Sequence, residues 1–236
     1  FERLSLPTAD YRLAETLFTG LGSAEEQGPE ETSSSKRGVF SFCMCPGGQI
    51  VPTSTDPAEL CINGMSFSRR DSRWANSALV VTVGGESDSA FAGFVEDGAS
   101  PLAGVDFQIA CERAAARMGG GNFVAPVQRV PDFLEGSLSR GTLPSSSYRL
   151  GVRSAALHEI YPEQVTAALR LAVERFEKKM PGFVCSDALL HGVETRTSAP
   201  VTIQRDRDTL EAKNVEMLFP AGEGAGYAGG IVSAAV

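Results

Sequence analysis

In this chain of 236 residues, five glycines fall within nine positions, in the run Gly222-Glu-Gly-Ala-Gly-Tyr-Ala-Gly-Gly230. Gly224, Gly226 and Gly229 stand at the G-x-G-x-x-G spacing, which lets a backbone approach the phosphates of a ligand closely. That spacing alone does not make a dinucleotide fingerprint. The fingerprint also needs a complete βαβ unit and an acidic residue about 20 positions downstream, and only seven residues follow Gly229.

A second chemistry suits the same turn. The pattern predicts a strand over Val215–Ala221 that runs into the turn and a helix that opens after it. A helix start offers free N–H groups and a partial positive charge, which suit the negative charge that gathers at the N1–C2=O edge of a reduced flavin. Glu223 then stands where a carboxylate accepts a hydrogen bond from a ribityl chain. The bland alternative is a glycine-rich loop that holds no ligand.

Other side chains invite weighing. Cys43 and Cys45 form a C-x-C, and on a strand both thiols point to one face. A disulfide between them would be strained and the C-x-x-C redox spacing is missing, so they are either redox groups beside a cofactor or small buried hydrophobes. Among Cys61, Cys111 and Cys185 there is no second cluster, and no His-x-x-x-His occurs, so no metal site is expected. Of the two histidines, His158 reads as a surface or capping group. His191 lies on a strand leading to Thr195 and Arg196, where it is either a general acid or a structural ring. Arg69, Arg70 and Arg73 with Trp74 are either a carboxylate grip or a solvated loop. Arg196 is the arginine favoured for contact with a cofactor or substrate.

Composition bounds these readings. A formal charge of −8 argues against nucleic acid as a partner. No apolar run approaches the roughly 18 residues of a membrane span, and no basic leader precedes an apolar stretch. The chain opens at Phe1 and closes at Val236 within a helical pattern, so an excerpt of a longer protein is expected.

The elements that must position these residues are α+β: a mixed β-sheet with packed helices. Leu13, Leu17 and Phe18 stand at helical spacing, whereas residues 21–37 are too poor in large apolar side chains to order and are expected to form a mobile loop. A hairpin is predicted from Val39 to Val51 around Pro46-Gly47-Gly48, then strands at Leu60–Phe67 and Ala78–Val83, the latter buried. Phe107, Cys111, Ala114 and Met118 mark a helix that Gly119–Gly121 ends. Pro126–Arg153 shows no period and reads as loop anchored by Phe133 and Leu134. The clearest helix runs from about Pro162 to Met180, with Val165, Leu169, Ala172, Val173 and Phe176 on one face. Strands are expected at Leu189–Thr197 and Val201–Arg205, and the glycine turn and a helix start close the chain.

Four segments carry a family resemblance: Ser41-Phe-Cys-Met-Cys-Pro-Gly-Gly48, Asn63-Gly-Met-Ser66 with Asn76-Ser77, Gly192-Val-Glu-Thr-Arg-Thr-Ser198, and the glycine turn. Leu6-Pro7, Asp10-Tyr11 and Gly119-Gly-Gly-Asn122 add to it. The chain resembles FAD-dependent dehydrogenases of a bacterial and plastid branch related to the glutathione-reductase-like two-domain flavoproteins. The N-terminal fingerprint for the ADP half of FAD is absent from it. The resemblance implies that residues 1–190 are an inserted substrate-side cap. Residues 191–236 would be a truncated C-terminal part of the FAD-binding α/β domain, its closing strands and helix start. It implies an oxidoreductase that passes a hydride or electron pair through FAD to or from a small molecule, with NAD(P)H as a candidate donor. Gly222, Glu223, Gly224, Gly226, Gly229, Gly230 and Thr197 would face the cofactor, and Cys43, Cys45 and Arg196 the chemistry. The expected setting is the soluble cytoplasm or plastid stroma. The alternative from another class is a flavin-stabilised scaffold or interaction domain without turnover.

Overall fold

The computed structural model describes residues 13–19, 35–84, 91 and 100–235. Along them run β1 (Ala14–Thr19), β2 (Ser35–Pro46), β3 (Gly48–Pro52), β4 (Ile62–Ser66) and β5 (Ala75–Val81). Then come α1 (Ala103–Gly119), β6 (Ala125–Arg129), α2 (Val130–Glu135), β7 (Val152–Ser154), α3 (Glu163–Lys179), β8 (Leu189–His191) and α4 (Ile231–Ala235). The architecture is α+β. No helix among the described residues is long and apolar enough to cross a membrane.

β1 and β5 flank β2 in an antiparallel sheet, β3 and β4 pair as a second, and β6 lies between a parallel β7 and an antiparallel β8 in a third. The helix expected around Leu13–Phe18 is β1. Leu13 and Leu17, both buried, are four apart, and that spacing keeps one face in a strand as well as in a helix. Pairing of Ala14–Thr19 with Ser35–Phe40 decides between the two periods. Residues 1–12 lie outside the described residues. So does most of the expected mobile loop, but Ser35–Arg37 of that stretch belong to β2 and Arg37 is buried.

The predicted hairpin over Val39–Val51 is also corrected. β2 and β3 follow each other with only Gly47 between, yet they pair in different sheets. Gly47 turns at φ 57° with its α-carbon tight against Arg70: an added Cβ would stand 2.1 Å from the Arg70 carbonyl carbon. The chain is thereby deflected instead of folded back. β5, expected to be buried, is half-buried, because a cavity lies along each end of it.

α1 ends as expected, with Gly120 in the left-handed region and its N–H donating to the carbonyls of Ala116 and Arg117. The supposed loop from Pro126 to Arg153 instead holds most of β6, all of α2 and the start of β7. Ala125–Gln128 are fully buried, a run too short to show a period. α3 matches its apolar stripe, burying Val165, Ala168, Leu169, Ala172, Val173 and Phe176. Arg175 and Lys179 on its far turn pair with Glu15, at 3.1 and 2.5 Å, and so moor the helix to β1.

After β8 the chain is irregular. The strand expected at Leu189–Thr197 stops at His191, and of Val201–Arg205 only an isolated bridge between Arg205 and Ala212 forms. Val215–Ala221 is not a strand either. Its backbone closes locally, as in the hydrogen bond from Ala212 N to Leu218 O, and Met217 turns to φ 61° with 81% of its surface exposed.

Candidate ligand site

Two cavities, of about 400 and 540 Å³, lie on either side of β5. Leu79, Tyr161, Leu169 and Glu194 line both and form their common neck. The walls come from segments far apart in sequence. Met44 of β2, Asn63 and Gly64 of β4, and Asn76 and Ser77 of β5 meet His191, Gly192 and Glu194 in the first cavity. Thr195, Thr197 and Ser198 continue into the second. Glycine is required where these strands close on one another. A Cβ at Gly64 would stand 1.8 Å from Asn76 Oδ1, and one at Gly48 would stand 2.3 Å from the Met65 carbonyl oxygen.

One clamp fixes the 194–197 segment. Glu112 of α1, 1% exposed, accepts two hydrogen bonds from the Arg196 guanidinium, Nε at 2.8 Å and Nη2 at 2.6 Å, and a third from Thr195 Oγ1 at 2.6 Å. Gln108, one turn earlier, donates to the Thr195 carbonyl at 2.7 Å. A planar fork on a carboxylate is a strong, directional pair, and it commits Arg196 to Glu112. Among the described residues the Glu194 side chain is bonded by the Thr197 hydroxyl, at 3.4 Å. Burial pushes its carboxyl above the ordinary carboxylate range, and the Thr197 bond opposes this only in part. Burial likewise raises the Tyr161 phenol, helped by Cys111, Cys61 and Glu194.

His191 closes the first cavity from β8. Its Nδ1 lies 3.2 Å from the Leu189 carbonyl oxygen, which can only accept, so the proton sits on Nδ1. Nε2 then accepts from Ser146 Oγ at 2.7 Å. Protein surrounds the ring although it opens on the cavity, and this burial lowers its pKa to about 4, so the imidazole is neutral near pH 7.

The residues singled out from sequence sort into three groups. Arg196 lines neither cavity and is held by Glu112, whereas Thr197 lines the second cavity beside Glu194. Cys43 and Cys45 do not share a strand face, because a bulge between Phe42 and Cys45 breaks the alternation and puts Cys43 at φ 49°. Both thiols are free, and Cys45 Sγ donates to the Cys43 carbonyl at 3.4 Å. Partial burial, then the neighbouring Cys45 and Glu194, hold the Cys43 thiol protonated above its ordinary range.

The glycine turn forms the third group and lines neither cavity. It packs on the preceding segment through Ile203 N to Ala225 O, Tyr227 Oη to Ile203 O, and Arg205 stacked 3.8 Å from the Tyr227 ring centre. Gly226 is needed for that packing, since a Cβ would meet Thr202 Oγ1 at 2.5 Å, and Gly222 is needed for its φ of 75°. Gly224 and Gly229 are different. Neither has a positive φ, and a Cβ on either would meet nothing within 4 Å among the described residues. Neither internal packing nor backbone conformation explains those two glycines. A ligand close to the backbone would, so the turn fits a phosphate- or flavin-bearing group. Glu223 is exposed beside them.

His158, expected at the surface, instead braces β6, with Nδ1 2.9 Å from Nε2 of the buried Gln128. Arg69 and Arg70 are exposed, whereas Arg73 stacks 4.5 Å from the Trp74 ring centre and donates to Ser145 Oγ at the rim of the first cavity. Tyr161, Ser146 and Glu112 were not legible as site residues. Their surroundings in the sequence carry no signal, Ser146 standing in a serine triplet and Glu112 beside Arg113, and the bonding partners of Ser146 and Glu112 are distant in sequence.

A family model described as FAD-dependent protein, C-terminal domain-like, matches residues 2–197. An uncharacterized protein of Clostridium beijerinckii is 48% identical over 204 residues, which cover 85% of this chain and 36% of that protein. The chain thus spans about a third of the length of that relative.

Proposed function

This chain belongs to the family of FAD-dependent proteins, matching their C-terminal domain, and we propose on that premise that it is the substrate-side part of an FAD-dependent oxidoreductase. Residues 1–190 form the cap, and residues 191–236 close the flavin-binding domain. The observation that carries the reading is the meeting of three separate motif segments, Gly48 with Gly64 and Asn76, and Gly192–Ser198, around two mostly apolar cavities that together could receive a small organic molecule. Bound FAD supplies the hydride or electron-pair chemistry, with NAD(P)H as the candidate donor.

Gly222, Glu223, Gly224, Gly226, Gly229 and Gly230 form the surface that meets the cofactor, Glu223 as the ribityl acceptor. The two glycines that the chain itself does not require support this assignment. So do the apolar Val215, Met217, Leu218 and Phe219, all 44% exposed or more, which closing strands of a flavin domain would use for pairing and burial. Thr197 and Arg196 stand between cofactor and cavities, and the protonated Cys43 with Cys45 borders the substrate side.

The test is anaerobic reduction of the purified full-length protein. A flavin spectrum bleached by NADH or NADPH is the expected result. A protein that holds flavin but is reduced by neither donor would point to a flavin-stabilised scaffold, and a colourless full-length protein would reject the reading.

A further inference from the structure

We propose that Ser146 and His191 form a nucleophile–base pair that cleaves a small neutral carboxylic ester, with the Asn76 side-chain amide as donor to the oxyanion. Acyl transfer of this kind needs no flavin, so the activity goes beyond the reading above and does not rest on it.

Three observations in the first cavity converge on it. The first is the pair itself. Ser146 Oγ lies 2.7 Å from His191 Nε2, and the Leu189 carbonyl holds the ring proton on Nδ1. The hydroxyl must therefore donate and Nε2 accept, which is the direction a serine nucleophile requires. The Leu189 carbonyl stands where a triad has its carboxylate. It fixes the tautomer and still accepts from Nδ1 once Nε2 is protonated. Ser146 Oγ also accepts from the Tyr148 N–H at 3.0 Å. That bond takes one lone pair and holds the side chain, and a second lone pair is left for attack.

The second observation is a donor without a partner. Asn76 Nδ2 is buried and makes no hydrogen bond to a described residue. A buried donor left so is costly unless a ligand completes it. Two sets of contacts bring it towards the serine. Trp74, two residues before Asn76, donates from Nε1 to the Ser145 carbonyl at 3.4 Å. On β3, a Cβ at Gly48 would stand 2.9 Å from Asn76 Nδ2, while the Ile50 N–H donates to Ser147 Oγ at 3.0 Å. Gly48 and Ile50 are about 7 Å apart along the strand, a distance that a small ester spans.

The third observation is the space. Ser146, His191 and Asn76 all line the same cavity of about 400 Å³, room for a small organic molecule. Trp74, Phe133 and Phe183 in its walls suit an aryl group. The acidic Asp187 and Glu194, also in the walls, favour a neutral ester over an anion.

The step balances without a redox partner. Ser146 Oγ bonds to the ester carbonyl carbon as its proton passes to His191 Nε2. The oxyanion so formed accepts from the Asn76 amide. On its collapse the bond to the alcohol oxygen breaks, and the alcohol leaves with the proton from Nε2. Water, giving its proton to the same nitrogen, then cleaves the acyl-serine to the carboxylic acid and restores the hydroxyl. Burial lowers the ring pKa to about 4, so the base is weak and turnover is slow. Covalent capture of the serine is the sharper readout.

The test treats the full-length protein with phenylmethanesulfonyl fluoride and locates the label by peptide fragmentation in the mass spectrometer. A single sulfonyl group is expected on Ser146, and none on its neighbours Ser145 and Ser147. His191→Gln keeps a hydrogen-bond partner for Ser146 but cannot take its proton, and should slow labelling about 100-fold or more. Asn76→Ala removes the oxyanion donor and should slow it about 100-fold. With p-nitrophenyl acetate the wild type should release a burst of p-nitrophenolate that Ser146→Ala lacks. Circular dichroism checks the fold of each variant. The position of the label in the wild type and the rate in His191→Gln keep the test decisive if Ser146→Ala or Asn76→Ala does not fold. An unlabelled Ser146 in the wild type would overturn the proposal and leave that hydroxyl as a structural cap on the Tyr148 turn. So would an unchanged labelling rate in His191→Gln or in Asn76→Ala. Flavin takes no part in the labelling, so either failure leaves the reduction test of the full-length protein standing.

Discussion

Acid should weaken this fold through His191, and the effect can be worked out from its surroundings. The ring is held between the Leu189 carbonyl and the Ser146 hydroxyl, with no carboxylate bonded to either nitrogen. A histidine whose folded pKa lies near 4 against an ordinary 6.5 binds fewer protons folded than unfolded across that interval. Its contribution is therefore fully present above about 6.5 and is lost as pH falls towards 4. The gap between those two values corresponds to about 3 kcal/mol, an upper limit because the ring opens on a cavity that water can enter. Glu194 acts in the opposite sense. Its raised folded pKa means that stability falls as pH rises above its ordinary 4.5. The wild-type profile mixes the two, so the informative quantity is a difference. His191→Gln stays neutral and can still reach Ser146. Urea unfolding of both proteins at several values between about pH 7 and pH 4 should show the variant gaining about 3 kcal/mol relative to the wild type as pH falls. A flat difference across that interval would refute the argument, because it would mean that the imidazole is hydrated in the folded protein.

Further outcomes follow from the same geometry. Glu112→Ala strips Arg196 and Thr195 of their acceptor and should cost about 2–4 kcal/mol by denaturant unfolding, less than a fully buried pair because Arg196 is half-exposed. Gly64→Ala should lower stability by about 1–3 kcal/mol, since its Cβ would overlap Asn76, and Asn76→Ala should restore part of that loss in the double variant. Gly224→Ala should leave the melting temperature of the 236-residue chain unchanged yet reduce FAD retained by the full-length protein on gel filtration. In the same assay Glu223→Ala should weaken FAD binding by about 1–3 kcal/mol, and Cys43→Ser should leave FAD content intact.

What the sequence revealed depended on how local the cause was. α3 was legible because its stripe repeats over 17 residues with Pro162 before it and Pro181-Gly182 after it. α1 was legible because glycine at its end has one conformational use. β6 was not, because four successive buried residues show no alternation, and Pro126 and Pro131 read as loop punctuation. β1 failed for the opposite reason: a four-residue spacing satisfied two periods, and only pairing with β2 selected one. The predicted strands after His191 failed because apolar residues propose a strand while a neighbour must complete it. No described strand lies beside Val215–Ala221. The site was legible as segments and not as contacts. Gly48, Gly64 and Asn76 were marked before their packing was visible, whereas the pairing that governs the neck of the cavities was not.

That pairing decides the chemistry available there. In sequence, Glu194 and Arg196 stand two apart, and Arg196 is the arginine favoured for contact with a cofactor or substrate. In the fold, the guanidinium crosses 84 positions to Glu112 on α1. With one cation and two carboxylates within reach of the segment, the better geometry wins, and Glu112 offers both oxygens and sits where solvent cannot compete. Glu194 is left with a hydroxyl at 3.4 Å, and burial holds its carboxyl above the ordinary carboxylate range. An acid on a helix outside the neck thus takes the guanidinium that stands two residues from Glu194. Had α1 carried a glutamine at this position, Arg196 would have lost its carboxylate and would have been free to turn towards Glu194. The clamp is structural in what it touches, and by holding Arg196 it leaves Glu194, which it does not touch, without that counter-charge.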